Sequence, residues 1–194
     1  MLNVLLLESP DALAAILRFF RPQPGLLVDI TYGIGSLVKA LPNGWRLVGL
    51  DLAGAPAEAK ADWAHLPIRS DTADVALYDP PYLVGRTSKR LYGKPDIAWA
   101  RRHTTLETRV DHTAPVREAA RILRPGGLFV AKIQNSRHKG VLVEQDRAVR
   151  EAIVEAGMIL REIIVYIRLL VGLFSNPRTP QQAYGFYIIA EKPE

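Results

Sequence analysis

The tetrapeptide Asp79-Pro80-Pro81-Tyr82 is the part of this sequence whose residue types are best suited to chemistry. Its two prolines fix their backbone angles and withhold their N–H groups, so they form a stiff turn whose carbonyl groups are acceptors. A carboxylate precedes the prolines and an aromatic ring follows them. The set suits a flat base that bears an exocyclic amino group, because two acceptors can take the amino hydrogens while Tyr82 stacks on the ring. The alternative is a proline-rich surface turn against which Tyr82 merely packs.

A second pattern with chemical meaning precedes the tetrapeptide. Gly33 and Gly35 follow the apolar run Leu26–Ile30 and would let the backbone turn sharply and approach a ligand closely. Asp51 ends the next apolar run, about 20 residues beyond Asp29, a spacing at which an acid suits both hydroxyls of a ribose. The pattern therefore predicts a ribose-containing ligand.

The segment Asp29–Ser36, here called the glycine loop after Gly33 and Gly35, favours a nucleoside ligand without phosphates. A dinucleotide-binding loop would have a third glycine where this sequence has Val38, and no Gly-Lys-Ser or Gly-Lys-Thr of a phosphate-binding loop occurs. The alternative is that the two glycines only turn the chain and that Asp51 caps the segment after it.

Short apolar runs that alternate with helical patterns must position these residues. Strands are predicted at Leu26–Ile30, Arg46–Asp51, Asp74–Tyr78, Leu128–Ile133, Ile159–Leu170 and Ala183–Ala190, the last two as an antiparallel pair. Helices are predicted at Pro10–Arg21, Ala114–Leu123 and Val143–Ala156, with one or two helical turns at Gly35–Leu41 and a turn at Arg124–Gly127. This alternation predicts an α/β fold with a mainly parallel sheet, whose ligand lies beyond the carboxyl ends of the strands.

Composition excludes several other kinds of site. The 194 residues contain no cysteine, which excludes a disulfide scaffold, a thiolate zinc site and a cysteine nucleophile. The four histidines lack the spacing of a metal site and are expected at the surface or in loops, so no metal is predicted. No apolar stretch is long enough to cross a bilayer and Met1–Leu7 does not resemble a signal peptide, so a soluble, cytoplasmic protein is expected.

The charge distribution permits a polyanionic partner. There are 25 basic against 20 acidic residues, and basic side chains are dense shortly after the tetrapeptide. We expect phosphate contacts from Arg86, Lys89, Arg90, Arg101 and Arg102, and from the later pair Arg137 and Lys139. The alternative is a solvated loop.

With these residues in place, the chain resembles the class I S-adenosylmethionine-dependent methyltransferases, in the branch with an Asp-Pro-Pro-Tyr motif that methylates adenine N6 or cytosine N4. The segment Asp29–Ser36 resembles the cofactor loop of that family, and Asp51 its ribose acid. Ala61-Asp62-Trp63 is similar to the segment that holds the adenine of the cofactor. Asp79–Tyr82 matches the catalytic tetrapeptide, and Ile122–Gly127 resembles the turn before the fifth strand.

The resemblance implies a Rossmann-like fold with a mainly parallel seven-stranded sheet, an antiparallel C-terminal strand and helices on both faces. It implies one catalytic domain over residues 1–194, with a basic insertion at about 83–112 and no separate target-recognition domain. The cofactor would be S-adenosylmethionine, with S-adenosylhomocysteine as product and no metal. The cofactor-binding residues would be Asp29, Thr31, Tyr32, Gly33, Gly35, Asp51, Leu52, Asp62, Trp63 and Asp79, and the catalytic residues Asp79, Pro80, Pro81 and Tyr82.

The activity implied by the resemblance is methyl transfer to an exocyclic amino group of a nucleobase, adenine N6 in DNA first and cytosine N4 second. The alternatives are an RNA base methyltransferase, a methyltransferase for small molecules or protein amides, and a catalytically idle subunit that binds nucleic acid. The partner would be nucleic acid, DNA before RNA, and the chain would act as a homodimer or with a specificity subunit.

Overall fold

The computed structural model describes residues 4–5, 9–52, 56–80, 111–138, 141–167 and 184–194. Pro81, Tyr82, the basic residues between 86 and 102, and Lys139 lie outside these residues, as does the predicted extension of the strand at 159–170 beyond residue 167. Arg137 lies within strand β7, defined below.

The predicted mainly parallel sheet is confirmed. Its strands are β1 (Val4–Leu5), β2 (Leu26–Asp29), β3 (Arg46–Asp51), β4 (Ala59–Lys60), β5 (Ala73–Tyr78), β6 (Leu123–Ile133), β9 (Ile159–Ile167) and β10 (Tyr184–Glu191). Their order is β1-β9-β10-β6-β5-β2-β3-β4, and β10 is antiparallel to both of its neighbours. Seven of these strands give the expected sheet, and the two-residue β1 adds an edge strand. A separate hairpin joins β7 (Ser136–His138) to β8 (Val141–Val143).

Helices cover both faces of the sheet. In the described part of the chain they are α1 (Ser9–Phe20), α2 (Thr113–Ile122) and α3 (Gln145–Glu155). The apolar stripe of α1 packs on one face in a cluster with Leu27 and Leu77, while α2 and α3 pack on the other face with Val28 and Phe129. None of these helices is long and apolar enough to span a membrane.

Two predicted local structures differ from the observed ones. Gly35–Leu41 forms turns instead of a helix, because Pro42 follows at once and the buried side chains of Leu37 and Val38 draw the segment into the core. Strand β6 begins at Leu123, five residues early, since the predicted turn is absorbed into the sheet as an irregularity with Gly126 at φ +69°. The strands β4, β7 and β8 are too short for hydrophobic periodicity to reveal.

Candidate active site

Three aspartates converge at the carboxyl ends of β5, β2 and β3, which are neighbours in the sheet. Asp29 pairs in register with Leu77 and with Gly49, so Asp79 and Asp51 each lie two residues further along their own chains. Side chains alternate between faces, and register partners share a face, so all three carboxylates are directed to the α1 side of the sheet. The sequence predicted this convergence.

Thr31 connects the glycine loop to the tetrapeptide. Its backbone N–H and its hydroxyl both donate to Asp29 Oδ1, at 3.0 and 3.4 Å. The same hydroxyl oxygen accepts the backbone N–H of Asp79 at 2.7 Å. Upstream of Thr31, the N–H of Ile30 donates to the carbonyl of Leu77 at 3.0 Å. The predicted cofactor loop and the predicted catalytic acid are therefore held within one hydrogen-bonded unit.

The glycine loop is held by Asp51. Gly33 donates its N–H to Asp51 Oδ2 at 2.9 Å, and both loop glycines have positive φ, +54° at Gly33 and +70° at Gly35. A Cβ at Gly35 would lie 2.6 Å from the hydroxyl oxygen of Tyr32, and one at Gly49 would lie 2.3 Å from the ring of the same tyrosine. Gly35 and Gly49 thus make room for Tyr32, whereas the sequence suggested that Gly33 and Gly35 make room for a ligand. Leu52, half-buried, follows in the turn after β3.

The two loop glycines differ in a way that can be measured. Gly33→Ala should cost only the backbone strain of a positive φ, about 1–2 kcal/mol, because among the described residues only a backbone oxygen at 3.9 Å approaches the new Cβ. Gly35→Ala carries the same strain and must also displace Tyr32, so its loss of unfolding free energy should exceed that of Gly33→Ala by about 1–3 kcal/mol. Urea denaturation of both variants checks this; equal losses would contradict the packing role of Gly35.

Burial shifts the pKa of Asp29. Its side chain is 2 % exposed, and loss of solvation raises its pKa from the ordinary value of 3.8 to about 7. Hydrogen bonds from Thr31 oppose the rise, while the negative charges of Asp79 and Asp51 add to it. Asp29 therefore titrates close to neutral pH, and its charged form would be favoured by a cation bound at this edge.

The segment expected to hold an adenine is fixed to α2. Asp62 Oδ1 accepts the N–H of Ala64 at 3.0 Å, and Trp63, 7 % exposed, packs edge to face on Tyr78 with ring centroids 5.8 Å apart. The structure thus places most of the Trp63 ring in the core beneath the site.

The anchor of this segment is an ion pair on α2. Glu118 Oε2 accepts the N–H of Leu66 at 2.8 Å, and Arg121 donates to the carbonyls of Leu66 and Ile68. The hydrogen bond from Arg121 lowers the pKa of Glu118, so the carboxylate stays charged and holds the segment at neutral pH.

His112 lies in the loop before α2, as expected of the histidines, but its side chain is buried and hydrogen-bonded. It is 3 % exposed, its Nδ1 lies 2.9 Å from the hydroxyl of Tyr78, and its Nε2 lies 2.8 Å from Gln145 Oε1. Because the amide oxygen can only accept, Nε2 carries the proton and Nδ1 accepts from the tyrosine. Burial raises the pKa of Tyr78, which keeps the hydroxyl protonated as a donor. A polar residue just before a predicted helix gave no signal of this role.

Lys132 is a functional candidate that sequence reasoning missed. Its Nζ lies 3.0 Å from Asp79 Oδ2. The feature of the sequence that could have revealed it is that Lys132 is the only charged residue in the otherwise apolar run Leu128–Ile133. In the part of the chain that the structure describes, no group of three or more histidine, cysteine or acidic side chains could hold a metal ion.

No family model and no curated protein matches this sequence. Solved structures do match its fold. One is a candidate methyltransferase in a Haloferax volcanii complex with the Trm112 methyltransferase activator (TM-score 0.58, 18 % identity, 89 % of this chain and 84 % of that chain). Another is the Burkholderia thailandensis 1,6-didemethyltoxoflavin-N1-methyltransferase with bound 1,6-didemethyltoxoflavin and S-adenosylhomocysteine (0.57, 15 %, 96 % and 79 %).

A third similar structure is the [4+2]-cyclase SpnF (TM-score 0.59, 12 % identity, 94 % of this chain and 81 % of that chain). Identities this low establish architecture, and the same architecture serves different reactions. The chain has the single-domain α/β Rossmann-like methyltransferase fold, with its three converging aspartates at the edge where such folds bind ligands.

Proposed function

We propose that this chain is an S-adenosylmethionine-dependent methyltransferase that acts on an exocyclic amino group of a nucleobase, adenine N6 in DNA before cytosine N4. The observation that carries the proposal is the hydroxyl of Thr31, which bonds Asp29 of the glycine loop and the backbone of Asp79 at once. A cofactor at the loop and an amine at the tetrapeptide would therefore be neighbours.

The residues at this edge fit the cofactor. Asp51 is the acid for the ribose hydroxyls, and Asp62 is the acceptor proposed for the amino group of the adenine. Asp29, Asp51 and Asp79 bring three carboxyl groups to this edge of the sheet, and carboxylates suit a sulfonium cation. When bound, the cofactor supplies an electrophilic methyl group.

The target amine is a poor nucleophile, because its lone pair is delocalised into the base. We assign the Asp79 carboxylate and the Pro80 carbonyl as acceptors for its two hydrogens, which would turn the nitrogen towards a tetrahedral shape and free the lone pair. The freed lone pair would take the methyl group that the bound cofactor supplies, and the electron pair of the broken methyl–sulfur bond would stay with the departing S-adenosylhomocysteine. The nitrogen then loses one proton, which Asp79 can accept and pass to water. Asp79 stabilises the positive charge on nitrogen more in the transition state than before it.

The polymer and the partner are proposed from the sequence. Arg86, Lys89, Arg90, Arg101 and Arg102 would bind phosphates, as would Arg137 and Lys139. A base within a duplex would have to be flipped out to reach Asp79, with Tyr82 stacking on it. The similar Haloferax volcanii structure includes an activator subunit, which supports a partner chain here too.

A second candidate function is N-methylation of a small heterocycle. It is favoured by the structural similarity to the 1,6-didemethyltoxoflavin-N1-methyltransferase, whose structure holds 1,6-didemethyltoxoflavin and S-adenosylhomocysteine. RNA remains the alternative polymer.

The proposal is tested by incubating the protein with labelled S-adenosylmethionine and duplex DNA, single-stranded DNA, RNA or free nucleosides. We expect N6-methyladenine in digested DNA, in an amount that falls steeply with salt through counterion release. Asp79→Ala serves as the control with strongly reduced activity. Methylation confined to free heterocycles and indifferent to salt would contradict a polymer substrate, and no transfer to any base would contradict the proposed function as a whole.

A further inference from the structure

The ion pair between Lys132 and Asp79 lies at the centre of the proposed site. Lys132 is on β6, where Ala131 pairs with Tyr78, so the lysine lies beside the residue that follows β5. The Nζ–Oδ2 distance is 3.0 Å, and the two side chains are only 13 % and 22 % exposed. A lysine so withdrawn from water needs a negative partner, and the carboxylate beside it supplies one.

The ammonium group is held from a second side by an aromatic ring. Lys132 Nζ lies 5.9 Å from the ring centroid of Tyr166, within the range of a cation–π contact. That ring occupies space that a side chain at Gly185 would fill, because a Cβ there would lie 2.4 Å from the tyrosine ring. Residues of three neighbouring strands, β6, β10 and β9, therefore position the ammonium group of Lys132.

The backbone and the side chain of Asp79 are therefore both held in place. Its backbone N–H is bound by Thr31 and its carboxylate by Lys132. A carboxylate with two side-chain torsions would otherwise sample several rotamers, and misplacing a reacting group by about 1 Å can lower a rate by about a hundredfold.

We propose that Lys132 is a positioning residue for methyl transfer, whose ammonium group holds the Asp79 carboxylate in the orientation that accepts the target amine. This inference rests on the proposed function. Lys132 itself forms no bond and accepts no proton in the reaction. Pairing also makes the acceptor neutral as a unit, which favours an uncharged aromatic amine over an alkylammonium substrate.

Lys132→Met tests the proposal, since it removes the charge and keeps most of the buried stem. We expect kcat to fall about 10- to 100-fold with the affinity for S-adenosylmethionine unchanged. Lys192→Met is the matched control, because Lys192 also pairs with an aspartate, Asp71 at 2.6 Å, but at the opposite end of the sheet. The control should keep the wild-type kcat. A Lys132→Met protein that folds and retains wild-type kcat would overturn the proposal.

Chemical rescue separates the charge from the fold. Lys132→Cys introduces the only thiol of the chain, since the sequence has no cysteine. Alkylation with 2-bromoethylamine restores an ammonium at nearly the length of lysine, and should recover most of the lost kcat. Alkylation with iodoacetamide adds a neutral amide and should not. Equal activity of the two alkylated proteins would assign the lysine a merely structural role and overturn the proposal.

A double-mutant cycle tests whether Lys132 acts through Asp79. In an Asp79→Asn background, Lys132→Met should add no further loss of kcat, whereas an additive loss would show that the lysine acts elsewhere and would overturn the proposal. Failure of this proposal can be distinguished from failure of the proposed methyltransferase function. A wild-type protein that methylates no base removes both proposals, while an active wild type with full activity in the Lys132 variants removes only this one.

Discussion

Replacing Asp79 by alanine is expected to lower kcat by about 10²–10³-fold, because the acceptor that stabilises charge on the amine nitrogen in the transition state is lost. The affinity for S-adenosylmethionine should change little, since Asp29, Thr31 and Asp51 are retained with their contacts to the glycine loop. Steady-state kinetics and titration calorimetry measure the two quantities.

Asp79→Asn is the matched variant for this prediction. It keeps an oxygen acceptor of similar shape but loses the negative charge, so its kcat should lie between those of the wild type and Asp79→Ala. Thermal denaturation shows whether the alanine variant, which leaves Lys132 beside a lost partner, is still folded. A folded Asp79→Ala protein with undiminished kcat would remove Asp79 from the reaction.

Replacing Asp29 by asparagine is expected to stabilise the protein, increasingly so as the pH rises. An acid whose pKa is higher in the folded than in the unfolded state favours folding below the unfolded value and loses that contribution as pH rises through the folded value, here from 3.8 to about 7. Asparagine does not titrate and can still accept the N–H of Thr31. The gain in unfolding free energy over the wild type should therefore grow by roughly 2–3 kcal/mol between about pH 5 and pH 8.

Urea denaturation of both proteins over this pH range measures the gain. A constant difference between them would mean that Asp29 does not titrate near neutrality. As Asp29 ionises, the wild type should increasingly prefer S-adenosylmethionine over S-adenosylhomocysteine, which lacks the sulfonium charge, and Asp29→Asn should show no such change. The asparagine variant would thus gain stability and lose cofactor selectivity.

Much of the site was predictable because parallel strands bring their carboxyl ends to one edge. Once Asp29, Asp51 and Asp79 were placed at the ends of apolar runs, their proximity followed from the fold class. The β6 lysine and the buried histidine were not predictable in this way. Their partners come from distant parts of the chain, so the Lys132–Asp79 and His112–Tyr78 contacts depend on sheet order and helix packing, which periodicity does not encode.

Packing also decides two local features that periodicity does not encode. Trp63, which the resemblance placed beside the adenine of the cofactor, packs mostly in the core, because apolar area is buried wherever α2 and the sheet leave space. The turn at 37–40 replaced a helix because a short segment that ends before proline gains more from burying two side chains than from completing helical hydrogen bonds.

The hydrogen bond between Tyr78 and His112 has a consequence for engineering this scaffold. It ties together, at 2.9 Å, the two points between which residues 79–111 run. When the ends of a segment are pinned by the core, exchanging that segment for one of another length changes mainly its closure entropy, and each doubling of length costs only about 0.6 kcal/mol. Segments of different origin can therefore replace residues 83–111 to vary the substrate of the proposed site, with Asp79–Tyr82 and the Tyr78–His112 contact retained.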